Sequence, residues 1–109
     1  MAIDVSDIFQ KMLQAAADSL EGKWPSIKDF AETEVKNLAE TLALIVRLKA
    51  EGKITEEQAQ LHLQIQKNTT RMVLLTAEGL ALLAVEAALN AALNVVKETV
   101  NSAIGFALI

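Results

Sequence analysis

Apolar residues recur at helical spacing along three stretches of this chain, and the last stretch is apolar almost all the way round. Val5, Phe9, Met12, Ala16 and Leu20 share one face at that spacing, which predicts a first helix over residues 4–21. Asp4 or Ser6 caps its start, and Gly22 followed by Pro25 ends it. Ser26, with Asp29 three residues on, is placed to cap a second helix over residues 27–51. Its stripe runs through Ile27, Phe30, Leu38, Leu42, Ile45 and Leu48 and stops at Gly52. Thr55-Glu56-Glu57-Gln58 then reads as a capping box, with acidic residues suited to the positive end of the helix dipole.

No proline follows Thr55, and Gly79 is the only breaker before Gly105. A glycine inside a helix costs ~1 kcal/mol, which packing can offset. The pattern therefore predicts one helix over residues 55–104, about 75 Å long at 1.5 Å per residue. A compact chain of this size is about 27 Å across, from a radius of gyration of ~13 Å for 100 residues. The expectation is a long helical hairpin, two shorter helices packed antiparallel on one long C-terminal helix. A break near Gly79 is the alternative. The linker Glu51–Ile54 is short, so the second and third helices are antiparallel neighbours whose facing residue numbers add to about 105. That register sets Lys28 near Glu78, Glu34 near Arg71, and Lys49 near Glu56 or Glu57. Carried past a bend at Trp24-Pro25, with Trp24 as its staple, it sets Asp7 near Lys97.

From Leu80 to Val96 the proportions of a surface helix are inverted. Glu86, Asn90, Asn94, Lys97 and Asn101 fall within a sector of roughly 80° at 100° per residue, and nearly everything else is Leu, Val, Ile or Ala. One antiparallel neighbour does not cover such a helix. Two hairpins would, as a four-helix-type bundle, which makes the fold an all-α single domain over residues 1–109 that assembles with a second copy. The expected oligomer interface is Leu75, Leu82, Leu89, Leu93, Val96, Val100, Ile104 and Phe106. The tandem Ala-Ala-Leu-Asn of residues 87–94 adds a smooth alanine face. Glu86, Asn90 and Asn94 either form a polar network inside the bundle or face water. The charged Lys97 and Glu98 that follow favour water. Asn68 interrupts the seam Leu61, Ile65, Met72, Leu75, where a polar residue sets register or marks the wet end of a core. The apolar tail from Ile104 to Ile109 calls for a groove on a partner subunit rather than a bilayer, since no basic cluster accompanies it.

Composition narrows the chemistry. Aromatics are 4% of 109 residues against 52% apolar overall, with no Tyr and one Trp, which suits Ala/Leu helices and not sheets. A net charge of −4 argues against nucleic acid. With no cysteine there is no disulfide, thiolate site or Cys nucleophile. The start, Met1 to Phe9, lacks the pattern of a signal peptide, so a cytoplasmic location is expected. The long apolar window Met72–Val96 carries Glu78, Glu86, Asn90 and Asn94, and an acidic residue at mid-membrane costs ~2.5–3.5 kcal/mol, which disfavours a span. His62 is the sole histidine, without the Glu-x-x-His spacing of carboxylate-bridged metal bundles. A metal there would need Glu34 or Glu40 to reach it across the hairpin. There is no phosphate-binding glycine loop, nucleophile elbow or Ser/His/Asp set.

The sequence thus reads as a non-enzymatic structural or interaction module without cofactor. Its expected partner is itself, as a homodimer or higher homo-oligomer through the C-terminal helix, or another helical protein. The alternative is a lipid-surface or lipid-binding amphipathic helical protein.

Overall fold

The computed structural model describes residues 3–76 and 80–109, and every regular element among them is helical. α1 spans Val5–Leu20, a single 3₁₀ turn spans Glu21–Lys23, α2 spans Trp24–Ala50, α3 spans Glu56–Leu75 and α4 spans Leu82–Ile104.

Local chemistry explains most of the ends. Asp4 caps α1, its Oδ1 accepting from the amides of Ser6 at 2.9 Å and Asp7 at 3.3 Å. Pro25 does not follow a helix end here. It sits in the first turn of α2, where a missing N–H costs nothing, so Ser26 lies inside the helix instead of capping it. α2 ends in a Schellman motif: Gly52 takes φ +72°, its amide donates to Lys49 O, and the Lys53 amide donates to Leu48 O. Three residues later the capping box forms as expected. Gln58 N donates to Thr55 Oγ1 at 3.1 Å, and Thr55 N donates to Gln58 Oε1 at 2.9 Å. Thr55→Ala removes one of those bonds and should destabilise the fold by ~1 kcal/mol, read as a lower midpoint in urea with an unchanged slope.

The largest departure from the sequence pattern lies in residues 55–104, which form two helices instead of one. α3 stops at Leu75, and α4 starts from Ala81 in extended conformation, φ −93° and ψ 158°. Gly79 and Glu78, with the Lys28–Glu78 pairing, lie outside the described residues. The physical reason for two helices is coverage. A straight helix would leave the apolar circumference of α4 in water, whereas folding back buries it against the same chain.

The four helices run up and down beside one another. α1 lies most extensively along α4, and α2 along α3. One core cluster gathers Ile8, Met12, Leu42, Ile45, Val96 and Val100, and a second at the other end gathers Leu20, Ile27, Ala31, Leu74 and Val85. The longest dimension is 42 Å, close to the ~40 Å of the 27-residue α2 at 1.5 Å per residue. No helix of the described residues is long and apolar enough to cross a membrane.

Candidate functional site

α3 is apolar on two opposite faces, and only one of them is covered. Ala59, Leu63, Thr70 and Leu74 face inward and are buried. Leu61, Ile65 and Met72, about 180° away on the helix, face water, with Met72 63% exposed. Sequence periodicity picks the bulkier stripe as the seam against α2, and the structure turns that stripe outward. Asn68 lies on the same outer stripe and is exposed, and Leu75 ends it partly buried. Leu82 and Leu83 open α4 beside the end of α3, and Leu83 is 84% exposed. Contiguous apolar side chains of this size on a monomer mark interaction sites more often than scattered single ones do.

The inward face carries a polar ladder against α2. Thr41 Oγ1 donates to Gln66 Oε1 at 3.2 Å, and Gln66 Nε2 donates to Thr70 Oγ1 at 3.2 Å. The Thr70 hydroxyl stands near enough to the Glu34 carboxyl group to favour its charged form. Thr41 opposite Gln66 and Glu34 opposite Thr70 reproduce the register expected from the short linker. Glu34 is only 7% exposed, and its Oε1 is buried without a hydrogen-bond partner. Burial raises its pKa above the ordinary 4.5, and the nearby Thr70 hydroxyl pulls it back part of the way. Sequence reasoning named Glu34 as a partner for Arg71 or a ligand beside His62, and the structure places it against neither.

Arg71 reaches across to α4 instead. Its Nε and Nη2 both donate to the Glu86 carboxylate, and its Nη1 donates to Asn68 Oδ1 at 2.7 Å. Glu86 is thus tied to the α3–α4 interface, while Asn90 and Asn94 are exposed. The three are not joined into one network, and the stripe reads as a solvated face with an ion pair at its head. Asp7 pairs with Lys11 and Lys28 with Glu32, each along its own helix, and Lys53 pairs with Glu51 beside the turn. The Asp7–Lys11 pair replaces the cross-helix one expected for Asp7 with Lys97, and Lys49 forms no salt bridge among the described residues.

The residues expected to form an oligomer interface along α4 are mostly inside this chain. Leu89, Leu93, Val96, Val100 and Ile104 are buried in the first core cluster or on its edge, covered by α1, α2 and α3. Leu75 and Phe106 pack partly buried against the two clusters, which leaves Leu82 as the strongly exposed member of the set. The apolar tail also finds its groove at home. Gly105 turns the chain at φ +89°, and Leu108 is buried in the core. Asn101 holds the turn, its Oδ1 accepting from the amides of Leu108 at 2.9 Å and Ile109 at 3.0 Å, and its Nδ2 donating to Ile109 O at 3.3 Å. An asparagine eight residues before an apolar end was the signal for this clamp.

A shallow groove of about 510 Å³ lies between Ile3, Val5 and the outer side of α2, with Ala43 and Leu44 on its floor and Glu40 and Arg47 on its rim. It brings together no nucleophile and base. His62 is half-buried on α3, and Glu40 is exposed on α2. Among the described residues no three His, Asp or Glu side chains stand close enough to hold a metal ion. No protein-family model matches this chain, and no curated protein or solved structure matches it either.

Proposed function

We propose that this chain is a non-enzymatic interaction module that self-associates through the outward face of α3. The observation that carries this reading is the stripe Leu61, Ile65, Met72, three bulky apolar side chains in line on a helix whose opposite face is already buried. A helix in a monomer needs one apolar face. A second one costs solubility, because no described residue of the same chain covers it. The reading keeps the sequence-level expectation of an assembling helical protein and moves the contact from the α4 seam to α3. Assembly of two chains then becomes a bundle extended by one helix pair.

Light scattering on the full chain in detergent-free buffer tests it. The expected mass at micromolar concentration is at least twice 11.8 kDa. Ile65→Glu combined with Met72→Glu should return the chain to a monomer with its helical circular dichroism unchanged, because both side chains stand in water in the folded chain. A monomeric wild-type chain, or an oligomer indifferent to those two charges, would end the proposal. If the wild-type chain is monomeric yet floats with phosphatidylcholine vesicles, the lipid-surface reading replaces it.

A further inference from the structure

We propose that the partner seated on this face is a second copy of the chain, with its α3 antiparallel and Leu61 of each copy against the partner's Ile65. This rests on the self-association reading and adds the partner's orientation and register. Along the outer face of α3, Gln58, Leu61, Ile65, Asn68, Met72 and Leu75 are spaced alternately by three and four residues. That spacing is the seam of a coiled coil, and helices that pair on it interdigitate side chain by side chain.

Charge and polarity within α3 select the occupant and its direction. When Leu61 meets the partner's Ile65 in antiparallel sense, Gln58 meets the partner's Asn68 and Glu57 flanks the partner's Arg71. The two polar seam positions then pair with each other, and opposite charges meet at both ends. Asn68 has the capacity for this contact. Its Oδ1 already accepts from Gln64 and Arg71, and its amide hydrogens are uncommitted among the described residues. Gln58 Oε1 accepts one bond, from Thr55 N, and has a second lone pair free. The axis relating the two copies passes between His62 and the partner's His62 on one flank, and between Gln64 and the partner's Gln64 on the other. Neither flank puts like carboxylates together.

The competing alignments are worse on the same terms. A parallel pair sets Glu56 and Glu57 of both copies side by side at helix N-termini and aligns the two helix dipoles unfavourably. An antiparallel pair shifted one heptad along puts Asn68 against Ile65, an apolar side chain that cannot bond its amide. The stretch Gln58–Asn68 of the seam is therefore its own complement, read backwards, and Met72 then lies against the residues just before the partner's α3.

Cysteine crosslinking of the full chain tests the register, and the absence of native cysteine makes each result unambiguous. Leu61→Cys and Ile65→Cys chains, mixed and mildly oxidised, should form a disulfide-linked heterodimer. Asn68→Cys alone should stay uncrosslinked under the same conditions. Both replaced leucine-type positions are exposed in the single chain, so the fold tolerates the change. Efficient crosslinking of Ile65→Cys and Asn68→Cys each to itself would overturn the register in favour of a parallel pair while leaving self-association intact. A uniformly monomeric mass without any crosslink would sink both. Glu57→Arg, which sets like charges against the partner's Arg71, should raise the dimer Kd by roughly three- to tenfold, with the effect shrinking as salt is added. No change in Kd would remove the flanking ion pair from the proposal and with it the choice of direction.

Discussion

Leu93→Ala is expected to destabilise the chain by ~2–5 kcal/mol, while Asn90→Ala changes its stability by less than about 0.5 kcal/mol. The two residues are neighbours on α4, three positions apart, yet they stand on opposite sides of the solvent boundary. Leu93 is 3% exposed within the cluster that joins α1, α2 and α4, and Asn90 points to water. Truncating Leu93 removes three buried carbons and leaves a hole that the surrounding Leu and Val side chains fill only in part. For a domain of this size each kcal/mol moves the melting temperature by ~4–8 °C, so the leucine variant should melt at least ~8 °C lower. Thermal circular dichroism on both variants checks the contrast. An equal loss from the two would mean that the polar stripe is buried after all. Because Leu93 is covered by its own chain, the loss should also be independent of protein concentration. A concentration-dependent loss would return Leu93 to an interface between copies.

The positions where sequence and structure part company have a common physical cause. Helix ends were legible wherever a side chain or a glycine makes the turn: Asp4 at α1, Gly52 and the Thr55–Gln58 box between α2 and α3. The α2–α3 register was legible for the same reason, since a short, well-specified turn leaves one alignment. The boundary between α3 and α4 has no such signal on its described flanks. Thr76 is still in helical conformation, and Ala81 has no side chain with which to cap α4. What separates those helices is the burial of α4 against α1, a contact between residues some eighty positions apart that no local window contains.

The face of α3 was misread for a related reason. Periodicity weighs bulk, so it selects Leu61, Ile65 and Met72 as the buried stripe. The stripe that packs against α2 is less bulky, with Ala59 allowing close approach and Gln66 bonded both to Thr41 across the interface and to Thr70 one turn on. This rotation of α3 sets Gln66 against Thr41 across the two helices and small side chains against α2. That pairing is visible only once Thr41 and Gln66 are known to face each other. The same rotation leaves the outer stripe uncovered, which is the candidate functional surface. The buried ladder and the exposed seam are thus two sides of a single rotation of α3.

Glu34 supplies the second large effect, with the opposite sign. Its carboxyl group is buried with one oxygen unbonded, and an unsatisfied buried polar group costs about 1–3 kcal/mol. Glu34→Met, close in length and volume, should therefore stabilise the chain at neutral pH, by about 1 kcal/mol or more. Thr70 does not become an orphan in that variant. It still accepts from Gln66, and its hydroxyl hydrogen is free to turn to the carbonyl one turn back. The pH dependence separates this account from simple repacking. Burial raises the folded-state pKa of Glu34 above 4.5, so the folded chain holds this proton more tightly than the unfolded chain does. The linked stability is fully present below the unfolded value and is lost as pH rises through the folded one. Relative to the wild type, Glu34→Met should then gain most at neutral pH, and its advantage should shrink as pH falls through the folded pKa towards 4.5 and below. Urea unfolding of both chains across that range measures the difference, and the remaining carboxylates cancel in it because both chains share them. A stability difference that stays flat from pH 7 to below 4.5 would show that Glu34 does not carry its charge into the core. Its cost to the fold would then be one of shape alone.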